Sequence, residues 1–136
     1  MRAVLDTNVV VSACFWRGAP FDCLKGYAGA VYEAVVSPPL VIEYERVYAE
    51  LAEAYPRTEP VNWVAALAES ADMVFPAERV RGVLADPFDE MVLECALAGA
   101  VDCVVSGDKK HLLPLKEFRG IPILSARDFL KLLKSL

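Results

Sequence analysis

Residues 3–11 read AVLDTNVVV, and their reading decides the fold. Two polar side chains, Asp6 and Asn8, interrupt an otherwise apolar run. A carboxylate among apolar groups is costly unless something pairs with it, so Asp6 needs a partner or a task. Ala3–Leu5 reads as a short buried strand. The VVVSACF that follows is rich in β-branched residues and is compatible with a longer strand. We place a turn at Asp6-Thr7-Asn8 and a short helix after it. On that reading Asp6 stands at the carboxyl end of the first strand.

Outward from this stretch, short apolar runs alternate with longer amphipathic ones, the pattern of βα units and a parallel sheet. Gly18-Ala19-Pro20 marks a break, and a short helix is expected over residues 20–29, ending at Gly29. Glu33–Val36 reads as a second strand. Ser37 followed by Pro38 is a strong helix start, an oxygen cap with proline at the first helical position. Leu40, Tyr44, Val47, Tyr48, Leu51 and Tyr55 then recur at helical spacing, and Pro56 ends the run. A further helix is expected from about residue 60 to residue 70, and an edge strand at Met73–Phe75. Asp86-Pro87 opens another helix, with Met91, Val92, Cys95, Ala96 and Gly99 on one face. Val101–Val105 and Ile121–Leu124 read as strands, and Ser125 caps a C-terminal amphipathic helix. The count is four or five strands, each followed by helix.

The chain has 136 residues, a length that suits one domain over residues 1–136 with a core of its own. Apolar residues make up 56% and charged residues 24%, a globular rather than a disordered composition. No apolar run approaches the ~20 residues of a membrane span. Asp6 and Asn8 fall where a signal peptide would be purely apolar, and a cytoplasmic location is expected. Cys14, Cys23, Cys95 and Cys103 form no C-x-x-C pair, and His111 is the one histidine, so zinc spacing is absent. The cysteines read as small buried hydrophobes. A net charge of −5 argues against a non-specific nucleic-acid binder, which carries a basic surface. It leaves room for an enzyme that spends its acids on metal ions.

In an open parallel sheet, ligands sit beyond the carboxyl ends of the strands. Several acids fall there. Asp6 follows the first strand, and Ser106-Gly107-Asp108 follows the VDCVV strand. Asp86 and Asp89 open the helix ahead of that strand, and Glu43 lies in the second turn of the helix after strand two. Each has an ordinary structural reading. Asp86 caps a helix, Asp89 meets a helix dipole, Asp108 caps a turn before Lys109-Lys110-His111, and Glu43 competes with Glu45. Asp89 borders the apolar stripe, whereas Glu90 and Glu94 are expected to point away from it. Together, however, the acids would repel one another and raise one another's pKa. A divalent cation resolves this, and an all-carboxylate set suits Mg²⁺ or Mn²⁺ rather than zinc. A site of that kind without a nucleophile motif points to phosphate-ester chemistry by activated water.

These residues resemble the PIN-domain family. DTN after an N-terminal strand, SPPLVIEYERV, DPFDEMVLECALAGA and VVSGDKKHL occur here in the family's order, from about Leu5 to the final helix. The resemblance implies an α/β fold, a three-layer α/β/α sandwich with a parallel sheet of about five strands. It also implies a metal-dependent ribonuclease, with many small members acting as toxins of toxin–antitoxin pairs. Carried over position by position, the family's acids fall on Asp6, Glu43, Asp89 and Asp108, as catalytic and metal-binding residues. Asn8 matches the asparagine expected to hold Asp6 by hydrogen bonding. Ser106 belongs to the pattern that ends in Asp108, and Asp86 matches an extra acid of one subgroup, cap or ligand. No expected acid is missing.

The expected reaction is attack of a water, activated by one or two Mg²⁺ or Mn²⁺ ions, on an RNA phosphate, leaving a 5′-phosphate. Lys109, Lys110 and Arg17 are candidate phosphate contacts, or ordinary solvated charges. The expected partners are RNA, an antitoxin protein and a second copy of the chain in a homodimer or higher oligomer, with no membrane. Trp16, Trp63 and Tyr55 mark a partner surface if exposed. Three other readings remain open on the residues alone. An aspartyl-phosphate phosphatase needs a second Asp where Asn8 stands. A receiver-type phospho-acceptor domain also gathers acids at strand ends. A PIN-like fold could instead serve as a binding module for RNA or a protein partner.

Overall fold

In the computed structural model, which describes residues 1–136, the first strand is Arg2–Leu5 (β1) and a helix follows at once, Thr7–Phe15 (α1). The expected Asp6-Thr7-Asn8 turn is absent. Asp6 itself is the N-cap, and Asn8 lies in the first helical turn. Val9, Val10 and Val11 are all buried, together with Ala13, Cys14 and Phe15. A β-branched run has poor helix propensity. Burying a Val, Leu or Phe is worth about 1.5–3 kcal/mol each, against a propensity cost of at most ~0.7 kcal/mol per residue. Packing therefore overrides the local preference.

The remaining elements are α2 (Ala19–Ala28), β2 (Glu33–Val36), α3 (Pro38–Ala54), α4 (Trp63–Ser70), β3 (Asp72–Met73), α5 (Pro87–Gly99), β4 (Cys103–Val105), β5 (Glu117–Phe118), β6 (Ile121–Leu124) and α6 (Ala126–Lys134). Oxygen caps set several helix starts: Ser37 accepts from Leu40 N–H, Asn62 from Ala65 N–H and Ser125 from Asp128 N–H. The helix expected from residue 60 thus begins at Trp63, and the edge strand expected at Met73–Phe75 is Asp72–Met73. The strand expected from Val101 starts at Cys103.

The sheet order is β3-β2-β1-β4-β6-β5. All neighbours pair in parallel except β5 with β6, which are antiparallel. This gives six strands rather than about five. The extra one is a two-residue hairpin arm, too short to carry a periodic signal. The order also differs from the 2-1-3-4-5 of receiver domains. β1, β2 and β4 are buried on both faces, as parallel strands covered by helices are. α5 packs on β1, β2 and β4, while α1 packs on α2, α3 and α4 and α2 on α6, in a three-layer α/β/α fold. A single cluster of 32 buried apolar residues forms the core.

From β1 the chain moves to one side of the sheet through β2 and β3, and β4 and β6 continue on the other side. The order reverses between β1 and β4. That is the switch point where α/β sheets open a crevice at their carboxyl ends, and Asp6 and Ser106 cap those two strands.

Candidate active site

Asp6 is only 5% exposed. Its backbone N–H donates to Val105 O at 2.8 Å, which ties the end of β1 to β4. Its Oδ1 accepts from Thr7 N–H at 2.8 Å, and its Oδ2 accepts the hydroxyl of fully buried Ser106 at 2.7 Å. Burial pushes the Asp6 carboxyl up, the Ser106 and Thr7 hydrogen bonds pull it down, and the charge of Asp108 raises it again. Tyr44, fully buried, places its hydroxyl on Leu5 O and closes the floor beneath.

Ser106 Oγ also accepts from Asp108 N–H at 3.0 Å, so one hydroxyl links the two carboxylate-bearing segments. Asp108 Oδ1 accepts from Lys110 N–H at 3.0 Å and His111 N–H at 3.1 Å, the turn-capping use available to any such aspartate. Its Oδ2 has no protein donor among these bonds. Asn8 Oδ1 accepts from Gly107 N–H at 2.9 Å. A Cβ at Gly107 would come within 3.2 Å of that oxygen, so the close approach needs glycine. Asn8 therefore holds the loop after β4, and its effect on Asp6 is the smallest of those acting there.

Asp89, half-buried in the first turn of α5, is pushed up to about 6. Burial is the main cause, followed by the charges of Asp6, Asp108 and Asp86, with His111 opposing them. Asp86 is the N-cap of α5, accepting from Phe88 N–H at 2.9 Å. Three segments thus bring Asp6, Asp89 and Asp108 within electrostatic reach of one another, with Asp86 at the rim. None of the four forms an ion pair with a lysine, arginine or histidine.

Glu43, unlike these acids, is paired with a cation. Arg46 grips it with two hydrogen bonds, Nε to Oε2 at 3.1 Å and Nη2 to Oε1 at 2.7 Å, and also reaches Glu50 at 2.6 Å. Its side chain is 12% exposed. The sequence reading missed this clamp, although Glu and Arg three apart on a helix are natural partners. Glu90 and Glu94 correct a second expectation, since both are buried rather than turned away. Glu94 Oε2 accepts from Val80 N–H at 2.9 Å, and Glu90 Oε2 from Val83 and Leu84 N–H at 2.9 and 3.2 Å. They fasten the segment before α5 to its helix, a need that helical periodicity alone does not reveal.

The basic candidates divide. Lys109 and Lys110 are exposed in the turn after Asp108. Arg17 lies beyond the far end of α1, about 13 Å along the helix from Asp6 at 1.5 Å per residue. It is stacked over Phe21 at 4.2 Å from the ring centroid, so it is not at the site's edge. Trp16 and Tyr55 are exposed and meet edge to face, whereas Trp63 is half-buried against Phe21.

The donor set consists of hard carboxylate oxygens whose mutual repulsion lacks an arginine or lysine to relieve it. That chemistry fits a divalent cation. No three acid, histidine or cysteine side chains converge tightly enough to grip an ion by themselves. Waters would therefore complete the shell, as Mg²⁺ prefers. Cavities lie elsewhere, one of about 530 Å³ beside Arg2, Glu33 and Asp72. They contain no comparable set of acids.

A family model for the PIN domain matches residues 2–110, which span every element from β1 through β4 and the acids just described. Comparison with curated proteins and with solved structures returned no match. No helix is long and apolar enough to cross a membrane.

Proposed function

We propose, from the premise that the chain belongs to the PIN-domain family and has its nuclease-type fold, that it is a metal-dependent ribonuclease. The observation that carries this reading is the group Asp6, Asp89 and Asp108, unpaired by any cation, at the switch point of the sheet. These three would hold Mg²⁺ or Mn²⁺, with Glu43 joining once Arg46 releases it. A divalent ion held there supplies Lewis-acid polarisation of a phosphate and acidifies a water.

The chain's own groups do the rest. Thr7 N–H and Ser106 Oγ fix both oxygens of Asp6, so its orientation is set before substrate arrives. Ser106 also fixes the backbone that presents Asp108. Asp89, in the first turn of α5, would share in holding the cation and in orienting the attacking water. Water oxygen bonds to phosphorus, the P–O3′ bond breaks, and O3′ takes up a proton, leaving a 5′-phosphate. Lys109 and Lys110 stand beside Asp108 as contacts for flanking phosphates.

The biological role in this reading is the toxin of a toxin–antitoxin pair acting on cytoplasmic RNA. Its antitoxin, or a second copy of the chain, would cover the exposed Trp16–Tyr55 pair. A second reading, a PIN-like binding module without catalysis, draws support from the Arg46 clamp on Glu43. Cleavage of single-stranded RNA with Mg²⁺, with EDTA and with Asp6→Asn separates the two. Cleavage only by the unmodified protein with metal supports the enzyme, and equal behaviour in all three assays removes it. Co-purification with the product of a neighbouring small gene tests the toxin assignment.

A further inference from the structure

On the other side of the first turn of α5 from Asp89 lies a cavity of about 350 Å³ that the acids do not explain. Phe88 forms one wall and is 55% exposed, an unusual position for a phenyl ring. Val80 and Met91 add apolar floor, and Arg79 and Arg81 stand at the rim. From α3, the Arg46 guanidinium lies over the Phe88 ring at 5.9 Å from its centroid. The cavity therefore offers an aromatic face with two guanidinium groups, Arg79 and Arg81, while Arg46 lies near the Phe88 ring without lining the cavity, in a protein of net charge −5.

The arginines are held there by construction. Val80 is 4% exposed, and its N–H is fixed by Glu94, so Arg79 and Arg81 on either side of it face outward. The two carboxylates that share the cavity, Glu90 and Glu94, already accept backbone N–H groups. Arg79 approaches Glu94 only at 3.9 Å, and Arg81 has no carboxylate partner. Phe88 immediately precedes Asp89 in the first turn of α5, which places the cavity beside the acidic group on that helix.

We infer that this cavity is a subsite for one nucleotide of a single-stranded RNA, its base stacked on Phe88 and its phosphates met by Arg79 and Arg81. Stacking on an aromatic side chain is tolerant of sequence, and guanidinium groups suit phosphate. The strand then runs from the subsite across the N-terminus of α5 to the phosphate at Asp89. This inference rests on the ribonuclease reading, deepens it, and is tested separately from cleavage.

The test is binding of a fluorescent single-stranded RNA oligonucleotide in EDTA, where nothing is cleaved, by the full chain and by Phe88→Ala, Phe88→Tyr and Arg81→Gln. Phe88→Ala is expected to weaken binding about tenfold and Phe88→Tyr to restore it. With an oligonucleotide abasic at each position in turn, one position should abolish the difference between Phe88→Ala and the unmodified chain. Arg81→Gln should weaken binding of every sequence and flatten the log–log salt dependence by about 0.7. Equal affinity of all four proteins, or no RNA binding by any, overturns the subsite. If the chain cleaves RNA with metal while these variants keep its KM, the nuclease stands and the subsite falls. If the chain binds through Phe88 but never cleaves, the subsite stands and the nuclease falls.

Discussion

Ser106 Oγ donates to Asp6 Oδ2 at 2.7 Å and accepts from Asp108 N–H at 3.0 Å, joining two acids that are 102 positions apart in sequence through one buried hydroxyl. Both partners of the Ser106–Asp6 bond are shielded from water. Removing the donor would strand a buried carboxylate oxygen rather than return it to solvent.

Ser106→Ala should therefore cost about 1–3 kcal/mol of stability, the penalty for an unsatisfied buried acceptor. It should lower RNA cleavage by more than that stability loss explains, because Asp6 and Asp108 lose their common anchor. Urea denaturation and single-turnover cleavage check the two parts. An unchanged midpoint would show that Asp6 is held by Thr7 alone.

The metal-free protein should lose stability as pH rises from about 4 through 6. Asp89 has a folded pKa of about 6 against 3.8 for an unperturbed aspartate, so the folded state binds its proton more tightly. Its contribution is complete below 3.8 and disappears as pH passes the folded value. Asp6 is shifted in the same direction. Asp89→Asn should flatten this part of the profile, and Mg²⁺ should restore stability at neutral pH. Thermal midpoints in EDTA across this window are the measurement. A profile that rises with pH and is unaltered by Asp89→Asn would count against the electrostatic picture.

Gly99→Ala should destabilise the fold, because its Cβ would stand 2.6 Å from Cγ1 of fully buried Val35. Overpacking of this kind costs about 1–3 kcal/mol. Val35→Ala in the same chain should recover part of the Gly99→Ala loss, and a double-mutant cycle measures the coupling. Strict additivity would place the clash elsewhere.

The four cysteines should resist alkylation while the protein is folded. All are buried, and burial pushes the Cys23, Cys95 and Cys103 thiols up to about 12. Since the thiolate is the nucleophile, iodoacetamide at pH 8 should label them only at the rate of unfolding. Rapid labelling of one cysteine under native conditions would show local opening there.

Much of the architecture was legible because its signals are local. The Ser37, Asp86 and Ser125 caps are bonds to N–H groups two or three residues on. The buried strands show as continuous apolar runs because helices cover both faces. The polar residues at the strand ends were legible for the same reason: Asp6 and Ser106 follow directly from where β1 and β4 stop.

By itself the sequence determined the order of the main strands and helices, the Ser37, Asp86 and Ser125 helix starts, and the set of acids available at one edge. Only the tertiary structure decided three things. Asn8 came to hold the Gly107 N–H besides acting on Asp6, Glu90 and Glu94 turned inward, and Glu43 was taken by Arg46. The physical reason is the range of the interactions. Caps and periodicity act within about four residues and can be read from neighbours. A β-branched helix, or a buried glutamate fastening a loop, is stable only because distant segments cover it and supply its partners.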